Sequence, residues 1–108
     1  MAKPGRSARS KGMNAEREVA KILSDYFGED IKRVLLSGVR GEGDIELPGV
    51  HVEVKRQEQT LLAKWFREEQ PKAEAKGLPM ALIHRKSREP WYVTMTLNDW
   101  LEVARDGI

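Results

Sequence analysis

Asp44, Glu53 and Lys55 are two carboxylates and an ammonium that the local pattern brings to one surface. They lie in the run G-D-I-E-L-P-G-V-H-V-E-V-K-R, Gly43 to Arg56, which alternates polar and apolar residues on both sides of Pro48-Gly49. Alternation of this kind around a Pro-Gly pair predicts two short strands joined by a turn. Side chains of a strand point to opposite faces with period two, so Val50, Val52 and Val54 share one face and His51, Glu53 and Lys55 the other. With Pro48 and Gly49 as the loop, Leu47 faces Val50 and Asp44 faces Glu53. The Pro-Gly pair prefers a type II turn, which fits a tight two-residue hairpin poorly, so a bulge that shifts this register is the competing arrangement. Like charges opposed across a ladder cost up to about 1 kcal/mol, and a divalent cation is the natural compensation.

The remaining elements must hold this hairpin. From Met13 to Phe27 the apolar residues Ala15, Val19, Ile22, Leu23, Tyr26 and Phe27 recur at helical spacing, between a cap at Asn14 and a stop at Gly28. Glu16 falls inside the apolar arc and is aimed at the core side, although a carboxylate in a first helical turn is also favoured by the macrodipole alone. Ile31 to Ser37 reads as a strand, and the loop Ser37 to Gly43 has glycines around Arg40 and Glu42. A second helix is expected over Thr60 to Lys76, kinked or split at Pro71 and ended by Gly77. Strands at Met80 to His84 and Trp91 to Thr96 flank a basic loop, and a terminal helix begins near Thr96 or Asn98. The fold class is therefore α/β, a single domain over residues 13–108 preceded by an arm, residues 1–12.

Composition narrows the chemistry. The 108 residues contain no cysteine and only two histidines, His51 and His84, which excludes disulfides, thiolate metal sites and cysteine nucleophiles, so any metal must be held by oxygen. Residues 1–12 carry Lys3, Arg6, Arg9 and Lys11 and no acid; these four of the 19 basic residues leave 15 against 17 acids, a net of −2, for the rest. Poor in apolar residues, the arm is expected to be flexible, and it suits either a phosphate backbone or a solubilising tail. No apolar run approaches a membrane span and no signal-peptide pattern is present, so a soluble, cytoplasmic protein with no membrane partner is expected.

The residues K-G-M-N-A-E-R-E-V-A-K-I-L, then G-D-I, then H-V-E-V-K resemble the PD-(D/E)XK nuclease superfamily, most closely the archaeal-type Holliday junction resolvases and their phage-encoded relatives. The resemblance runs from about Lys11 to Lys55, and Gly43 stands where the superfamily name has proline. It implies a restriction-endonuclease-like core, a central mixed β-sheet of about five strands flanked by helices in the order αβββαββα. It also implies catalytic roles for Glu16, Asp44, Glu53 and Lys55, with Mg²⁺, for which Mn²⁺ substitutes, held by Asp44, Glu53 and the Val54 carbonyl and by Glu16 through water. The activity implied is structure-selective cleavage of branched DNA, above all four-way junctions, by a homodimer, in the host cytoplasm if the protein is phage-encoded. Candidate DNA contacts are Lys3, Arg6, Arg9, Lys11, Arg33, Ser37, Arg40, Arg56, Arg85, Lys86 and Arg88. A nuclease for flaps, single strands or a restriction target, and a non-catalytic nucleic-acid-binding module, are the alternatives.

Overall fold

A computed structural model describes residues 4–28 and 44–107, with the side chains of all these except residues 4–13, 44 and 46. Seven elements follow in order: α1 (Pro4–Phe27), β1 (Asp44–Leu47), β2 (Val50–Arg56), α2 (Leu62–Lys76), β3 (Met80–Arg85), β4 (Tyr92–Thr94) and α3 (Leu97–Arg105). The four strands form one mixed sheet in the order β1-β2-β3-β4. β1 and β2 are antiparallel, β2 and β3 parallel, and β3 and β4 antiparallel. Among the described residues the order is αββαββα and the sheet has four strands; the strand expected at Ile31 to Ser37 lies outside them.

The hairpin register pairs Asp44 with Glu53, Ile45 with Val52, Glu46 with His51 and Leu47 with Val50. Gly49 has φ 83°, the positive value that a type II turn requires after its proline, and the two-residue loop closes without shifting the ladder.

Alternation along β2 gives the sheet two chemically different faces. On one, Ile45, Val52, Val54, Ala81 and Ile83 pack against Ala15, Val19 and Ala20 of α1, with Leu23 beside them. On the other, Met80 and Leu82 pack against Trp65 and Ala73 of α2. The parallel β2–β3 register sets His51 beside Met80, Glu53 beside Leu82 and Lys55 beside His84, so all six project toward α2.

Helix α1 starts at Pro4, nine residues before the start at Met13 that apolar periodicity indicates. Pro4 suits a first helical position, and lengthening a helix already packed on a sheet needs no new nucleus, so polar residues continue it without an apolar signal. Helix α2 is likewise not split: it runs from Leu62 to Lys76 with Pro71 inside. Its end is a Schellman arrangement, with Gly77 at φ 68° and the Gly77 and Leu78 amides donating to the Glu74 and Ala73 carbonyls, each at 3.0 Å.

Helix α3 is capped by Thr96, whose Oγ1 accepts from the Asp99 amide at 3.1 Å. Asp99 also ties α3 to its neighbours, because its Oδ2 accepts from the Met80 amide at 3.1 Å and from Gln70 Nε2 at 2.9 Å. Tyr92, Val93, Leu97, Trp100, Leu101 and Val103 leave an exposed apolar surface along β4 and α3. No helix among the described residues is long and apolar enough to cross a membrane.

Candidate active site

Glu53 sits mid-strand on β2, and its side chain is 1% exposed. A carboxylate so buried stays ionised only beside donors or cations. Its Oε2 lies 2.7 Å from His51 Nε2, two residues away on the same strand face, and 3.7 Å from Lys72 Nζ of α2. Lys55, the next residue on that face, donates to Glu69 Oε2 at 2.5 Å, and Lys72 reaches Glu69 Oε1 at 2.8 Å. His51 accepts at Nδ1 from Lys76 Nζ at 3.0 Å. Two carboxylates, three ammonium groups and an imidazole thus form one connected line between β2 and α2.

Helix geometry explains the α2 contribution. Trp65, Glu69, Lys72, Ala73 and Lys76 are spaced by three or four residues, which places them within one arc facing the sheet. Glu69 is pushed up by burial, but hydrogen bonds and charge attraction from Lys55 and Lys72 outweigh this and hold its carboxyl below the ordinary value of 4.5.

Of the residues singled out from the sequence, Glu53 and Lys55 come together in this cluster, and Asp44 is the cross-strand partner of Glu53. The side chain of Asp44 lies outside the described residues. Val54 is buried on the α1 face. Glu16 is 1% exposed, on the buried arc of α1 between Ala15 and Val19. Its helix packs on the Val52 and Val54 face of β2, whereas Glu53 and Lys55 point to the α2 side. Among the described residues no group of three or more His, Asp or Glu side chains is arranged to hold a metal ion.

A hard cation needs oxygen donors. The buried Glu53 carboxylate, the paired β1 position that carries Asp44, and the β2 backbone are all oxygen donors, the set that Mg²⁺ or Mn²⁺ requires. This chemistry fits.

The basic candidates are largely engaged within the chain. Arg56 donates to Glu58 at 3.2 Å and to Ser87 Oγ at 3.3 Å, and Ser87 in turn donates through its Oγ to Glu58 at 2.7 Å. These hydrogen bonds, with Ser87 first, lower the Glu58 carboxyl from its ordinary value, only partly opposed by desolvation. Arg85 lies 3.7 Å from Glu18 of α1 and packs 5.1 Å from the centre of the Trp91 ring. Lys86 and Arg88 are exposed, Arg88 at φ 67°. Lys3, Arg33, Ser37 and Arg40, and the side chains of Arg6, Arg9 and Lys11, lie outside the described residues.

Sequence reasoning did not find Glu69, Lys72 or Lys76, and noted His51 only for its strand face. The signal was present in α2: three charged residues share the helical arc of Trp65 and Ala73, the arc that must face the sheet.

A model of the family described as "Phage putative PDDEXK endonuclease" matches residues 7–106. No curated protein and no solved structure matches the chain. The matched stretch takes in the E-x-K strand, its cross-strand aspartate and the helices on both sides, and the chain belongs to the phage PDDEXK endonuclease family.

Proposed function

We propose that the chain is a metal-dependent, structure-selective DNA endonuclease that resolves four-way junctions as a homodimer. The observation that carries the reading is the E-x-K pair, Glu53 and Lys55, on one strand face with Asp44 in register opposite Glu53. Asp44, Glu53 and the Val54 carbonyl would hold Mg²⁺ or Mn²⁺. Glu16, buried on α1, is assigned to a water of that ion by resemblance.

When bound, the cation supplies positive charge that acidifies water and draws density from a phosphoryl oxygen. The chain's residues do the rest. Lys55, held by Glu69, presents its ammonium beside Glu53 to orient water and to stabilise charge gathering on the phosphate oxygens. Water forms the new bond to phosphorus in line with the breaking bond to the 3′-oxygen, which takes a proton and leaves as a 3′-hydroxyl. A 5′-phosphate remains on the other strand end.

Cutting a junction symmetrically requires two sites related by a two-fold axis. The exposed apolar residues of β4 and α3, Trp100 and Leu97 among them, offer a surface for a second copy. The exposed Lys86 and Arg88, and the basic residues before Met13, supply the backbone contacts by which branched DNA is recognised without base readout.

The test is incubation with four-way junctions, flaps and linear duplexes in Mg²⁺, with Asp44→Asn, Glu53→Gln and Lys55→Ala alongside. Junction cleavage lost in all three variants while junction binding persists is the expected result. Preferential cutting of linear duplex refutes the junction assignment, and unchanged cleavage in the variants refutes the site. Sedimentation should give a dimer on junction DNA, and a persistent monomer refutes the two-fold arrangement.

A further inference from the structure

The nuclease reading leaves unexplained why a histidine is fully buried two residues before the candidate metal-binding glutamate and tied to a lysine of another element. His51 is 0% exposed, and its backbone amide is held by the Pro79 carbonyl at 2.9 Å, so the ring has a fixed origin. Its two nitrogens meet groups of opposite character. Lys76 Nζ, 3.0 Å from Nδ1, is a donor with no accepting capacity; Glu53 Oε2, 2.7 Å from Nε2, is an acceptor when ionised. Only one arrangement satisfies both: a neutral imidazole with its lone pair on Nδ1 toward Lys76 and its proton on Nε2 toward Glu53. An imidazolium would set an N–H against an ammonium.

We propose that His51, locked in this tautomer by Lys76, is a positioning residue for Glu53 that orients its carboxylate for a divalent cation. The inference rests on the reading of Glu53 as a metal-binding residue. With Oε2 engaged by the His51 N–H and approached by Lys72, rotation of the carboxylate is restrained and its charge is kept despite burial. Groups that hold a metal-binding side chain in place in this way typically govern metal affinity by 10 to 100-fold. Lys76 is available for this because it stands in the last turn of α2, the end of a helix that favours a cation.

Two measurements test it. In a long-range ¹H–¹⁵N spectrum of the intact protein His51 should show the neutral tautomer protonated at Nε2, and protonation at Nδ1 overturns the proposal. In Mn²⁺ titrations followed by calorimetry, His51→Phe should weaken binding about 10 to 100-fold. His51→Gln, whose amide retains an N–H at similar reach, should restore most of it, and Lys76→Met should show a smaller loss.

Equal Mn²⁺ affinity in wild type and a folded His51→Phe overturns the positioning role. If His51→Phe does not fold, as judged by circular dichroism, Lys76→Met decides, because Lys76 is exposed and removable; unchanged affinity and an unchanged tautomer in that variant overturn the proposal. A wild-type protein that takes up no Mn²⁺ while His51 shows the expected tautomer instead refutes the metal reading of Glu53, and the inference falls with it.

Discussion

Replacing Glu69 by Gln isolates the electrostatic contribution of α2 at constant shape. Glu69 is 8% exposed and accepts from Lys55 and Lys72, whose side chains are 18% and 44% exposed. Removing one partner of a fully buried ion pair typically costs about 3–5 kcal/mol. Here both lysines reach water, and exposed pairs contribute only about 0–1 kcal/mol. The burial of the acceptor and the partial exposure of the donors place the expected loss between these limits, at about 1–2 kcal/mol. For a domain of this size that lowers the melting temperature by about 4–15 °C. The sign with pH follows from the carboxyl's lowered value. The ionised form is favoured by folding, so the contribution is complete above the unfolded value of 4.5 and disappears as pH falls through the lower folded value. Urea unfolding of wild type and Glu69→Gln should therefore differ by the full amount near about pH 7 and by less at a pH below 4.5. A difference that is the same at both pH values, or below about 0.5 kcal/mol at neutrality, refutes the account of Glu69 as the charge partner of both lysines.

Three further outcomes are expected. Burial lowers His84 from its ordinary value of 6.5, so the unfolded chain takes up the proton first and stability falls as pH drops below about 6.5 toward the folded value; His84→Gln should flatten that part of the stability profile, and an unchanged slope refutes the assignment. Thr96→Ala removes the side-chain cap of α3 and should cost about 1 kcal/mol in urea unfolding, with faster amide exchange at Asp99. Gly77→Ala meets nothing within 4 Å but must adopt φ 68°, so a loss of about 1–2 kcal/mol through backbone strain alone is expected; a neutral result refutes the left-handed cap.

Local rules with short reach were readable along the chain. Period-two alternation around Pro48-Gly49 is enough to set Asp44 opposite Glu53, because a one-residue slip would turn Val52 and Val54 to the polar face. The hydroxyl of Thr96 before an i, i+3, i+4 apolar pattern marks the start of α3 for a similar reason. Where competing terms are small, the reading failed. Ala8 alone among residues 4–12 belongs to the apolar set that marks the rest of the helix, so the extension of α1 to Pro4 left no periodic signal, and the cost of Pro71 is absorbed by a helix whose Trp65 and Ala73 are anchored in the sheet.

The larger miss has a general cause. Glu69, Lys72 and Lys76 share the core-facing arc of Trp65 and Ala73, but the groups they meet on β2 are not evident from α2 considered alone. The strand beneath changes their meaning. A sheet face that buries Glu53 and half-buries Lys55 cannot be covered by an apolar helix without leaving charges uncompensated, so the covering helix has to bring an anion for Lys55 and cations for Glu53 and His51. The opposite face carries Ile45, Val52, Val54, Ala81 and Ile83, and α1 meets it with Ala15, Val19 and Ala20, its one buried acid being Glu16. The two faces of one strand thus demand different helices, and the E-x-K alternation of β2 specifies in advance which helix must bring both an anion and cations to its inner side.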